Sequence, residues 1–255
     1  MNSPWLRRFD AAPPDDTRTT EFLLICFPHA GGAASSYLPL SRALAPEIGV
    51  VSVQYPGRQD RRREPPCTSL MALARAVADE LEHQLRPRQQ YALFGHSMGA
   101  VVAYETARLL AERDLPMPGR LFLSGRGAPS ATPRPGDLLS DDAALIAEIR
   151  RLGGTGRRVL DDPELLHLAL PALRADYRAL GGHRDRPGPP LDVPFTVMVG
   201  DADPVVAVDD ARGWLAHSLR DSRLLTYPGG HFYLDDNIAR VAGDLRHALA
   251  ADVPV

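Results

Sequence analysis

The sequence contains no lysine, so all 29 basic residues are arginine. That excludes a Schiff-base lysine, a Ser–Lys dyad and a Walker-type phosphate lysine. Cysteine is scarce. Cys26 and Cys67 are the only two, without metal-ligand spacing, and both are expected as reduced thiols, Cys26 in a core strand. No apolar run approaches the roughly 20 residues that a membrane helix needs. The first ten residues, Met1 to Asp10, hold no apolar signal core. The expectation is a cytoplasmic protein without a membrane partner. The net charge of −3 gives no footprint for nucleic acid.

What is present suits one large α/β domain over 1–255. Short apolar runs at 21–27, 49–54, 90–94, 121–124, 195–200 and 223–227 predict strands. Helical patterns over 35–45, 68–85, 100–110 and 235–250 separate most of them. The apolar positions Leu70, Leu73, Ala74, Val77, Leu81 and Leu85 share one helical face. Alternation of this kind predicts a mostly parallel sheet covered on both faces. Residues 1–20 are polar and proline-rich and are expected across the surface. Residues 127–190 interrupt the alternation with two helical stretches, 141–152 and 162–180, between Pro/Gly-rich connectors. An inserted helical lid is expected there.

The pentapeptide Gly95-His96-Ser97-Met98-Gly99 stands between the strand 90–94 and the helix that follows. Strand, G-x-S-x-G and helix is the nucleophile elbow of the α/β-hydrolase fold, with Ser97 as nucleophile. The two glycines remove Cβ atoms where strand and helix pass closely. A serine needs a base, and the base needs a carboxylate, in the chain order Ser, acid, His. Of eight histidines, His231 follows the last strand and precedes the last helix, where the base belongs. The loop after 121–124 carries no carboxylate at Gly125-Arg126-Gly127, so the acid is sought after 195–200. Asp201 and Asp203 both stand there, and pattern alone does not separate them. The oxyanion donors are expected from the N–H groups of Met98 and of Ala30, in the glycine-rich loop Pro28-His29-Ala30-Gly31-Gly32. Arg58, Arg61, Arg62 and Arg63 form a basic run that reads either as a solvated face or as a site for an acidic partner.

Seven stretches in order, FPHAGG (27–32), QYPGRQDR (54–61), FGHSMGA (94–100), LFLSGRGAPS (121–130), LPALRADY (170–177), GDADPVV (200–206) and GGHFYL (229–234), resemble the type II thioesterases of polyketide and nonribosomal peptide biosynthesis. Trp5, Arg7, Arg8 and Phe9 look like that family's N-terminal segment. The resemblance implies a stand-alone editing enzyme that hydrolyses stalled or wrong acyl groups from the phosphopantetheine thiol of acyl or peptidyl carrier protein domains. It implies Asp203 as the acid and no cofactor or metal of the enzyme's own. His29, Gly31, His96 and Phe232 are the expected substrate contacts, and a monomer is expected. The chain departs from the family at 178–183 and at Gly127, where a second arginine is common. The same triad also suits a small-molecule carboxylesterase or an acyltransferase. A hydrolase-fold binding module is the non-enzyme alternative, against which the complete set Ser97, Asp203 and His231 argues.

Overall fold

The computed structural model describes residues 3–9, 22–129, 134–153 and 161–251. Seven strands form one sheet: β1 (Leu6–Arg8), β2 (Phe22–Phe27), β3 (Ile48–Val53), β4 (Gln90–His96), β5 (Leu121–Ser124), β6 (Phe195–Gly200) and β7 (Arg223–Tyr227). Their order is β1-β3-β2-β4-β5-β6-β7, with β1 antiparallel to β3 and every other pair parallel. The helices are α1 (Leu38–Leu44), α2 (Leu70–Gln84), α3 (Met98–Glu112), α4 (Asp142–Leu152), α5 (Pro163–Gly182), α6 (Val208–Arg212), α7 (Tyr233–Asp236) and α8 (Ile238–Ala251).

Strand alternation sorts side chains onto two faces. On β2, Leu23, Ile25 and Phe27 pack with α2 and α3, whereas Phe22, Leu24 and Cys26 pack with α1 and α8. Both faces are covered, so all six β2 residues are buried, Cys26 among them. A third, small cluster joins α4 to α5 through Leu145, Leu173 and Tyr177, with Ala30 against it. Among the described residues no helix is long and apolar enough to cross a membrane.

Several expectations change. Part of the N-terminal segment is not a surface strap. Leu6–Arg8 extends the sheet, Leu6 is buried, and the Arg61 guanidinium lies 4.4 Å over the Trp5 ring. Three residues are too few to show a strand period, and tertiary contacts hold them in place. Residues 1–2 and 10–21 lie outside the described residues, as do 130–133 and 154–160 of the expected insertion. The closing helix is broken at Asn237, whose Nδ2 donates to Pro228 O and Tyr233 O, bracing the loop that carries His231. The basic run is not one surface. Arg58 and Arg61 are buried and paired with Asp176 and Glu64, while Arg62 and Arg63 are exposed.

Candidate active site

Chain order reverses direction across the sheet between β2 and β4, which are neighbours although β3 lies between them in sequence. Ligand crevices of parallel sheets form at such a switch point, beyond the carboxyl ends of the strands. Phe27 is in register with Gly95, so the loop after β2 and the elbow after β4 emerge side by side.

Ser97 sits at φ 55° and ψ −118°, a left-handed conformation that a non-glycine residue adopts only when its surroundings enforce it. The enforcement is steric and specific. A Cβ on Gly95 would stand 2.2 Å from Gly99 O, and one on Gly99 would stand 2.0 Å from Phe27 O. No side chain fits either place, so the helix lies directly against the β2 carbonyl. The Ser97 N–H donates to Ser124 O at 2.8 Å, which ties the elbow to β5. Met98 opens α3, so its N–H has no carbonyl one turn earlier to donate to, and the helix dipole points at the same spot.

The loop after β2 is set by two N–H groups. Gly32 N donates to His29 O at 2.9 Å, closing a turn, and Gly31 N donates to Asp176 Oδ2 at 2.7 Å. Among the described residues nothing accepts from the Ala30 N–H. Gly31 holds φ 74°, and a Cβ there would stand 3.0 Å from Leu173 Cδ1 on α5.

His231 and Asp203 come from the ends of β7 and β6, which are paired in parallel, Gly200 with Tyr227. His231 Nδ1 lies 2.8 Å from Asp203 Oδ2. Asp203 Oδ1 accepts from Val205 N at 2.8 Å and Val206 N at 3.3 Å, which aims the other oxygen at the imidazole. Asp201, indistinguishable from Asp203 by pattern, has a different place. Its Oδ1 accepts from Gly229 N at 3.0 Å and pins the turn before His231.

One cavity of about 760 Å³ is lined by Ser97, His231, His29, Ala30, Gly31 and Phe232 together with the inner faces of α4 and α5. His29, Gly31 and Phe232 thus lie where substrate contacts were expected. His96 does not. It is 1 % exposed and absent from the lining, with its Nδ1 2.8 Å from Ser124 Oγ and its ring against His231, Phe232 and Tyr233. It precedes Ser97 by one residue, but it ends the strand and turns into the packed interior behind the site. Ser124 Oγ also lies 2.7 Å from the Tyr233 hydroxyl, so His96, Ser124 and Tyr233 link the elbow to the histidine loop.

Burial, then His231, then Arg58 push the His29 imidazole down to about 4. Burial likewise pushes His96 well below the ordinary histidine value, followed by His231 and His29. These two rings are therefore neutral near neutral pH. Burial raises the Asp176 carboxyl, and Arg58 and Gly31 N–H oppose the rise.

Sequence reasoning did not assign Asp176 or the Arg126–Asp137 pair a role. Arg126 donates to both Asp137 oxygens, through Nη1 at 2.8 Å and Nη2 at 2.5 Å, within the cavity wall. Trp214 Nε1 donates to Arg126 O at 2.8 Å from a turn that the sequence pattern did not reveal. Asp176 lay inside the quoted stretch LPALRADY, and a carboxylate on a predominantly apolar helix was the signal for it.

This strand order, with an elbow at its reversal, is the α/β-hydrolase fold. The profile of the thioesterase domain matches residues 22–249. The chain is 44% identical over 241 residues to "Thioesterase PikA5" of Streptomyces venezuelae, covering 94% of this chain and 84% of that one. It is 36% identical over 212 residues to "Gramicidin S biosynthesis protein GrsT" of Aneurinibacillus migulanus, covering 83% and 82%. The solved type II thioesterase BorB from the borrelidin biosynthetic cluster superposes with a TM-score of 0.85 at 42% identity, covering 96% and 97%. The chain belongs to the thioesterase family, as a type II thioesterase of polyketide and nonribosomal peptide biosynthesis, a hydrolase acting on thioesters.

Proposed function

We propose that the enzyme removes stalled or aberrant acyl groups from the phosphopantetheine thiol of acyl or peptidyl carrier domains. The observation that carries this reading is the Asp203–His231 contact opening onto the cavity that Ser97 also lines. His231 takes the Ser97 hydroxyl proton as Oγ attacks the thioester carbonyl. The N–H groups of Ala30 and Met98 hold the oxyanion of the tetrahedral intermediate. The C–S bond breaks, the thiol leaves with the proton from His231, and the acyl group stays on Ser97. A water then attacks, giving its proton to His231. The acid is released as the serine recovers the proton. Asp203 orients the ring and stabilises the imidazolium.

The helices α4 and α5 form the lid of this site and shape the acyl pocket. The substrate brings its own phosphopantetheine arm, so the mechanism calls on no cofactor of the enzyme. The test is single-turnover hydrolysis of an acyl group from a loaded carrier protein. Ser97→Ala is expected to abolish release with an unchanged circular dichroism spectrum, and the parent enzyme is expected to show a transient acyl adduct on Ser97 by mass spectrometry. Undiminished release by Ser97→Ala overturns the reading.

A further inference from the structure

Asp176 lies on α5, which lines the cavity through Leu173 and Tyr177; Asp176 itself is buried outside that lining, and its carboxylate reaches to the loop after β2. Its Oδ2 accepts from Gly31 N at 2.7 Å and pairs with Arg58 Nη2. Both charged side chains are withdrawn from water, 1 % and 4 % exposed. Arg58 is fixed in turn, with Nη1 donating to Pro56 O at 3.0 Å and its guanidinium 5.0 Å from the Tyr55 ring centre. Three segments, α5 and the loops after β2 and β3, thus meet at one carboxylate.

A buried ion pair of this kind is a poor source of stability, because desolvation offsets the attraction, and apolar side chains of similar volume do as well. What an apolar pair lacks is an acceptor for the Gly31 N–H. Gly31 is in the left-handed region, where glycine moves freely unless something holds it. The turn bond from Gly32 N to His29 O holds one end of the loop, and Asp176 holds the peptide between them. With both ends fixed, the direction of the Ala30 N–H is fixed. Leu173, one turn before Asp176 on the same face of α5, would stand 3.0 Å from a Cβ on the same glycine.

We propose that Asp176 is a positioning residue that aligns the oxyanion loop from the lid helix, so that the Ala30 N–H is competent only when α5 is seated. An acyl group that displaces α5 withdraws the acceptor from Gly31 and slackens the oxyanion hole. Selection among acyl groups then acts on the rate of the chemical step as well as on fit in the pocket. This rests on the acyl-transfer reading given above.

The experiment compares double variants of the full-length enzyme that differ in the Gly31 acceptor but not in buried charge. Arg58→Gln/Asp176→Asn keeps an oxygen in place without charge. Arg58→Met/Asp176→Leu removes the oxygen and leaves an apolar pair. Both are assayed on acyl-N-acetylcysteamine thioesters, with affinity for a trifluoromethyl ketone that forms a tetrahedral adduct on the serine as a second readout. The Gln/Asn pair is expected within about threefold of the parent kcat. The Met/Leu pair is expected to lose about 10- to 100-fold in kcat with KM unchanged, the scale of a misplaced reacting group, and to lose ketone affinity in parallel. If the Met/Leu pair fails to fold, Arg58→Gln/Asp176→Gln replaces it. That pair keeps the polarity and moves the acceptor by one methylene, with the same loss expected. Equal kcat and ketone affinity in the acceptor-keeping and acceptor-lacking pairs overturn the inference. Turnover of the same thioesters by Ser97→Ala overturns instead the acyl-transfer reading beneath it.

Discussion

His231 Nδ1 lies 2.8 Å from Asp203 Oδ2, with the two side chains 3 % and 0 % exposed. A contact so sheltered fixes both the tautomer and the ring plane of the histidine. Asp203→Asn keeps the shape and removes the charge, and the Asn amide can present a donor where the imidazole N–H needs an acceptor. We expect kcat to fall by about 10⁴-fold, the scale seen when a triad carboxylate becomes an amide. Asp201→Asn keeps an acceptor for Gly229 N–H and is expected within a few-fold of the parent. Steady-state kinetics on one soluble acyl thioester decides. Comparable losses in the two variants would exclude Asp203 as the orienting acid.

The elbow predicts a contrast between glycines. Gly99→Ala would place a Cβ 2.0 Å from Phe27 O, and Gly95→Ala one 2.2 Å from Gly99 O, both against backbone that has no room to move. Each is expected to lower the melting temperature steeply and to leave little folded enzyme. Gly243 is the control. It lies exposed inside α8, with nothing within 4 Å of an added Cβ. Gly243→Ala is expected to stabilise by about 0.5–1 kcal/mol, the helix-propensity difference between the two residues. A Gly99→Ala protein that melts with the parent would contradict the close passage of helix and strand.

The elbow was legible because a short apolar run, two glycines and a helical run meet there, and each is visible in one dimension. His231 was legible because only one histidine falls between the last strand and the last helix. Asp201 and Asp203 could not be told apart by pattern, since their roles diverge only in the turn geometry that sends one oxygen to Gly229 N and another to His231. His96, expected among the substrate contacts, lies outside the cavity lining for a related reason. Adjacency to Ser97 says nothing of direction, and the residues of a strand point alternately to opposite faces. Arg58 and Arg61 looked like part of a charged surface. Asp176, the partner of Arg58, and the Trp5 ring beneath Arg61 lie 118 and 56 positions away in sequence, out of reach of a local pattern, although Glu64, the other partner of Arg61, is local.

Burial of His29, with His231 and Arg58 nearby, gives acid a lever on this site. The His29 imidazole is held down to about 4, below its unfolded value near 6.5. The unfolded chain therefore binds a proton that the folded chain refuses between those values. The contribution of His29 is undiminished above about pH 6.5 and is lost progressively as pH falls toward about 4. His29→Gln, which does not titrate, is expected to flatten the dependence of the urea midpoint on pH across that window. His96, shifted in the same direction, leaves a residual slope. An unaltered pH dependence in His29→Gln would mean that this ring is protonated alike in folded and unfolded protein.

The basic run now divides into two experiments. Arg61 is buried, donates to Gln54 O at 2.8 Å and covers Trp5, so Arg61→Glu is expected to loosen β1 and lower stability. Arg62 and Arg63 are exposed in the loop that follows the carboxyl end of β3. Exposed charge of one sign steers an oppositely charged partner over a Debye length of about 8 Å at physiological salt. If the proposed carrier substrate docks at this loop, Arg62→Glu/Arg63→Glu raises KM for an acylated, acidic carrier protein several-fold and weakens its salt dependence. The same double variant leaves kcat and KM for acyl-N-acetylcysteamine unchanged, because that substrate has no protein surface to steer. Kinetics on the two substrates at low and high salt separate the outcomes. A carrier KM and salt dependence equal to the parent's would place the docking surface away from these two arginines.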